Sequence, residues 1–209
     1  MKKIIAIVFS TLFVAQAALA ELAIGITGAY YSLDTEGSET ELTGDTEKST
    51  ASSEENFEGL EIFGEIVTDT GLVLGASYIP ARELGAKSRT DSNSEGDSGT
   101  YTAKAEVDNV VMFYADVPIG PVYAKFGISR AELVTQESLN SGSTYDNEDV
   151  FGYTLGLGKR GDFYGGTFYK AEFAYTNFDS YEDTSSDSEK KVEADTEVMA
   201  IKLSVGKTF

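Results

Sequence analysis

The side chains with chemical potential in this chain are carboxylates and lysines: Glu61 and Glu65, Lys125, Lys170 and Glu172, and Lys202. Two nearby carboxylates offer a general acid and base, while the denser groups Asp146-Asn147-Glu148-Asp149 and Glu182-Asp183 offer oxygen ligands to Ca²⁺ or Mg²⁺. Neither group has the spacing of a defined calcium loop, so divalent cations at the acidic segments are an expectation set against plain solvation. The chain holds no histidine and no cysteine. Ser-His-Asp hydrolysis, thiol catalysis and ordinary zinc sites are therefore excluded. Gly156-Leu157-Gly158-Lys159 with Gly161 lacks the spacing of a phosphate loop. Catalytic acid pairs need a substrate cleft beside them, so Glu61 and Glu65 read as counter-charges for the lysines. The chain reads as a non-enzyme, with no catalytic, cofactor-binding or metal residue assigned.

The elements that must position these charges are strands. In Leu22 to Leu33, Leu22, Ile24, Ile26, Gly28 and Tyr30 share one face, and Ala23, Gly25, Thr27 and Ala29 share the other. Seven further stretches alternate in the same way: Phe57 to Thr68, Leu72 to Ala81, Glu106 to Val117, Val122 to Leu133, Val150 to Lys159, Thr167 to Phe178, and a last one ending at Phe209. In the fourth, Asp108 and Asp116 share a face with Val110, Met112 and Tyr114, and the acids are placed inward. The sixth sets Phe151, Tyr153, Leu155 and Leu157 against Gly152, Thr154, Gly156 and Gly158, a period that excludes a helix. Short connections at Asp69-Thr70-Gly71, Pro118 to Pro121 and Arg160 to Gly166 alternate with long polar segments at 34–56, 82–104, 134–149 and 179–194. Glycine and proline suit the former; the latter read as loops.

The chain begins Met1-Lys2-Lys3, continues with an apolar run from Ile4 to Ala15, and reaches Ala18-Leu19-Ala20. This is the pattern of a secretory signal cleaved after Ala20, with Ala18 and Ala20 as the small cleavage-site residues. Removing that 20-residue leader from 209 residues leaves 189, one domain over 21–209. Removing Lys2 and Lys3 from the 16 basic residues leaves 14 against 35 acidic ones, a balance that repels nucleic acid.

Polar, charged and glycine positions share one strand face and bulky apolar residues the other. The polar face carries both signs, Glu61, Glu65 and Glu172 with Lys125, Lys170 and Lys202, as an enclosed network requires. The reading is an all-β fold: a closed eight-stranded antiparallel up-and-down transmembrane β-barrel, apolar outside and charged within. Tyr30, Tyr78, Phe151, Tyr169, Tyr175 and Phe178 fall near strand ends, where a headgroup belt of aromatics is expected.

On these residues the chain resembles the porin-like outer-membrane β-barrel proteins, specifically the small eight-stranded OmpA/OmpX-type barrels. The most specific element is the last strand, with Met199, Ile201, Leu203, Val205 and the aromatic Phe209. The resemblance implies that Ile201, Leu203, Val205 and Phe209 form the insertion signal read by the barrel assembly machinery. Lys207 departs from that pattern. The implied location is the outer membrane of a Gram-negative bacterium, in contact with its lipids and lipopolysaccharide. A structural or surface-interaction role, presenting long acidic extracellular loops, is the leading functional expectation. The alternatives are a narrow channel or small-molecule transporter, with glycine-rich inner faces leaving a gap, and a soluble exported ligand-binding barrel.

Overall fold

Strict alternation over long runs leaves a sheet with one polar and one apolar face, and such a sheet in hydrocarbon must close on itself. The computed structural model describes residues 20–42, 48–91, 99–138, 144–186 and 188–209. The signal segment with Ala18 lies outside the described residues, apart from Ala20. The strands are β1 (Glu21–Glu41), β2 (Lys48–Val67), β3 (Val73–Ile79), β4 (Arg82–Asp91), β5 (Gly99–Ile119), β6 (Val122–Ser138), β7 (Glu148–Asp162), β8 (Thr167–Phe178), β9 (Tyr181–Thr184) and β10 (Lys190–Thr208). β4 continues the ladder of β3 along β5, and β9 continues that of β8 along β10. The ten segments thus make eight staves, in the antiparallel order β1-β2-β3-β5-β6-β7-β8-β10. β10 returns to β1, from Ala23↔Thr208 to Glu41↔Lys190, and closes the barrel.

The outer face is apolar. Ile26, Leu60, Leu155, Ile201 and Leu203 are exposed, whereas Ala23, Thr27, Ser77 and Ala200 on the opposite parity are buried. This is the reverse of a water-soluble ligand-binding barrel, whose bulky apolar residues face inward, and it overturns that alternative.

Several boundaries differ from the sequence reading. The polar segments expected to be loops are largely strand: β1 and β2 stay paired up to Thr40↔Lys48, and β10 begins at Lys190. The apolar alternation stops where hydrocarbon stops, but the hydrogen-bond ladder continues in register beyond it. Arg160 belongs to β7 rather than to a turn, because β7 runs to Asp162. The β5–β6 connection contracts to Gly120-Pro121, with Ile119 paired to Val122 and Gly120 at φ +60°. In β5 the register shifts between Asp108 and Val111, where Asn109 adopts φ +50°. This bulge reverses the parity above it, so Val107 rather than Asp108 joins Val110 and Met112 on the lumen side.

Candidate functional site

Inside the barrel two layers are distinct. Nearer the short turns lies a layer of charges, and above it an apolar cavity.

The charged layer draws on six staves that turn ionic side chains inward. β2 supplies Glu61 and Glu65, β5 Asp116, β6 Lys125, β7 Arg160, β8 Lys170 and Glu172, and β10 Lys202. Lys170 Nζ lies 2.6 Å from Glu65 Oε1 and 2.5 Å from Asp116 Oδ2. Lys125 Nζ lies 2.9 Å from Glu172 Oε2 and 3.5 Å from Asp116 Oδ1. Lys202 is 3.0 Å from Glu61 Oε2, and Arg160 Nη1 is 3.6 Å from Glu65 Oε2. Four carboxylates therefore face four cations, and the layer is neutral as a whole. Neutrality matters because each ion taken from water costs several kcal/mol unless paired and hydrogen-bonded, on the order given for buried ion pairs.

Three tyrosines add hydrogen bonds to the carboxylates of this layer. Tyr114 donates to Glu65 at 2.7 Å, Tyr123 to Glu172 at 2.9 Å and Tyr31 to Glu61 at 3.3 Å. Their rings also cover the cations: Lys125 Nζ stands 3.6 Å from the centre of the Tyr114 ring, and the Arg160 guanidinium carbon 3.7 Å from that of Phe168.

The inner glycines are the seats of these rings. Gly75 pairs with Tyr114, Gly158 with Tyr123, Gly25 with Phe63 and Gly206 with Phe168, each directly across a ladder. A Cβ at any of the four would overlap the partner ring. The glycine faces of the first and sixth expected strands therefore leave no gap at Gly25 or Gly158, because aromatic side chains from neighbouring staves fill the space.

Above this layer lies a cavity of about 1420 Å³. Leu33, Phe57, Ile79, Met112, Ala131 and Val198 are among its lining residues, with Lys202 at its base. Glu65, Asp116, Lys125 and Lys170 do not line it, so it stops on the charged layer. One side of its wall is interrupted. β2 pairs with β3 only from Val67↔Val73 to Ile62↔Tyr78, while β4 pairs with β5 alone. Pro80, between β3 and β4, has no amide hydrogen to give a ladder. The lining includes Phe57, Gly59, Ile79 and Pro80 beside this interruption, and also Tyr30, Leu60, Ile201 and Leu203, which are exposed on the outer face of β1, β2 and β10. Phe178 lines the cavity and rests on Gly152, so it belongs to the lumen and not to the expected headgroup belt.

The remaining sequence candidates lie elsewhere. Ile201, Leu203, Val205 and Phe209 are exposed on the outer wall, and the Phe209 amide donates to the Leu22 carbonyl at 2.8 Å. Lys207 Nζ sits 5.9 Å from the Phe209 ring centre. Of the acidic groups weighed for divalent cations, Asp149 is held by Arg130 at 2.7 Å, Glu182 by Lys191 at 3.0 Å, and Asp183 accepts from the Asp146 amide at 2.7 Å. Among the described residues no three carboxylates gather as a metal site. Sequence reasoning left Tyr31, Tyr114, Tyr123, Asp116 and Arg160 out of the charge network, although the parity that put Lys125 inward also puts Tyr123 inward.

Solved structures of similar fold include the outer membrane protein OprG from Pseudomonas aeruginosa, at 11% identity and TM-score 0.58, covering 91% of this chain and 96% of that one. The outer membrane protease OmpT from Escherichia coli matches at 11% identity and TM-score 0.50, over 90% of this chain and 97% of that one. At such identities the likeness is one of fold alone. No curated protein matches the chain. A family model described as the outer membrane protein beta-barrel domain matches residues 4–209. With its closed eight-stave wall, apolar outside and charged within, the chain belongs to the outer membrane protein beta-barrel domain family and resides in the outer membrane of a Gram-negative bacterium.

Proposed function

We propose that the protein takes small apolar molecules from outside the cell into its upper cavity and releases them sideways into the membrane. The observation that carries this reading is the apolar cavity, closed below by paired charges and bordered by the interruption where β2 and β3 part. Burying apolar surface gains about 25 cal/mol per Å², enough to collect a small hydrophobic solute from water. Bilayer hydrocarbon offers the same gain, so a lateral exit runs downhill without an energy source. Glu65, Asp116, Lys125 and Lys170 bar the axial route.

The test pairs two measurements. Cells expressing the protein accumulate the neutral fluorophore N-phenyl-1-naphthylamine faster than cells carrying an Ala131→Trp variant, whose indole enters the cavity from the lining position of the buried Ala131. Refolded protein in planar bilayers gives no stable steps of porin size. Porin-sized steps, or equal uptake by the variant, overturn the proposal.

A surface-interaction role is the second reading. It is favoured by the polar hairpins above the apolar belt, where Lys48 and Lys191 both bind Glu193, at 3.5 and 2.7 Å. Adhesion of expressing cells to a cationic surface, abolished by exchanging Glu39, Glu55 and Glu193 for Gln, checks it; adhesion unchanged by the exchange rejects it.

A further inference from the structure

We infer that the upper cavity selects organic cations with an apolar body over anions of the same shape. The inference rests on the reading of that cavity as a binding cup and names the class of molecule it favours.

Two features of the lining carry it. The first is aromatic: Tyr31, Phe57, Tyr145, Phe178 and Tyr181 all contribute, and the Tyr31 and Phe57 rings stack with centroids 5.1 Å apart. Ring faces are negative, so an aromatic-walled cup attracts a desolvated cation and gives nothing to an anion. The second is charge. Among the described lining residues the acids are Glu39, Glu55, Glu58 and Asp179, and the single base is Lys202. Lys202 is buried at the base with both Glu61 oxygens at 3.0 and 3.1 Å, so its charge is already answered. Glu39 is held by Lys190 at 2.7 Å. Glu55, half-buried on the β2 wall, and Asp179, exposed at the rim, lie at the cup with no cation among the ion pairs of the described residues. The chain's formal charge of −19 adds a long-range pull of the same sign. A bulky anion therefore meets carboxylates at the mouth and aromatic rings in the wall, whereas a bulky cation is drawn by both.

The experiment uses the refolded barrel in lipid nanodiscs and two ions of nearly equal size, tetraphenylphosphonium and tetraphenylborate, with N-phenyl-1-naphthylamine as the neutral probe. Because these ions partition differently into lipid, each is scored as the binding in excess of that seen with Ala131→Trp discs of the same composition. The excess binding of tetraphenylphosphonium is expected to be stronger than that of tetraphenylborate by about tenfold or more, the range of a desolvated cation–π contact. Exchanging Glu55→Gln together with Asp179→Asn lowers the phosphonium affinity about tenfold and leaves the neutral probe unchanged, and raising salt to about 1 M acts in the same direction. Both variants keep their heat-modifiable migration in SDS. Equal excess binding of the two ions, a preference for the borate, or specific binding of the neutral probe alone overturns the charge selection and leaves the apolar cup standing. Loss of specific binding for all three probes removes the cup and this inference together.

Discussion

Lys170 Nζ lies 2.6 Å from Glu65 Oε1 although β10 and β1 stand between their staves in the wall. The contact is a chord across the bore, and with Asp116 at 2.5 Å on the other side Lys170 ties three distant staves together. Lys170→Met should leave two buried carboxylates short of a counter-charge and cost about 3–5 kcal/mol, the usual penalty for breaking a buried pair. Adding Glu65→Gln should recover part of that loss. Urea unfolding in detergent micelles, arranged as a double-mutant cycle, measures both; additive losses would show that the chord carries no coupling.

Gly158 is the seat of the Tyr123 ring, directly across the β6–β7 ladder. Gly158→Ala should cost about 1–3 kcal/mol through overpacking, and the loss should shrink in a Tyr123→Ala background, where the ring is gone. Tyr123→Phe separates the two duties of that side chain, since it keeps the ring and removes only the hydrogen bond to Glu172. The measurement is again equilibrium unfolding.

The wall was legible in the sequence because a period of two is the only pattern that keeps Ile201, Leu203 and Val205 on one side and Lys202 and Ser204 on the other. The tops of the strands were not. Segments such as Ser49 to Glu55 are polar on both parities, and what makes them strand is the ladder inherited from the apolar part below. The contacts within the lumen were hidden for a different reason. Parity says that Glu65 and Lys170 face inward, but which lysine reaches which carboxylate depends on the stagger of eight staves around a circle. The interruption beside Pro80 is written as a single residue, and its meaning emerges only once β4 is seen to follow β5 and leave β2.

Leu203 is 66% exposed on the outer wall, within the apolar alternation of β10 that begins at Met199. Leu203→Arg should cost about 2–4 kcal/mol in refolding into lipid vesicles, the penalty for a charge facing hydrocarbon. The same exchange at Glu197, on the same face but higher along β10, should stay within about 0.5 kcal/mol. Equal costs at the two positions would place the apolar belt elsewhere.

Glu193, high on β10, has its carboxyl held below the usual carboxylate range by the hydrogen bond from Lys191, then by the charges of Lys191 and Lys48. A depressed carboxylate contributes its stabilisation above its unfolded value, about 4.3, and loses it as pH falls through the lower folded value. Amide exchange along Lys191 to Glu197 should therefore speed up, relative to the intrinsic rate, as pH is lowered below about 4. Glu193→Gln should show the faster exchange already at neutral pH and little further change on acidification. Hydrogen exchange followed by mass spectrometry reads both.

Because the first and last staves are neighbours, from Ala23↔Thr208 to Glu41↔Lys190, nothing is sealed until β10 has left the ribosome and reached β1. An incomplete copy lacking β10 is not a smaller vessel but an open sheet with two bare edges, ready to stick to its neighbours. The cell must hold such a chain unfolded through its whole journey and let it zip up only at the last step.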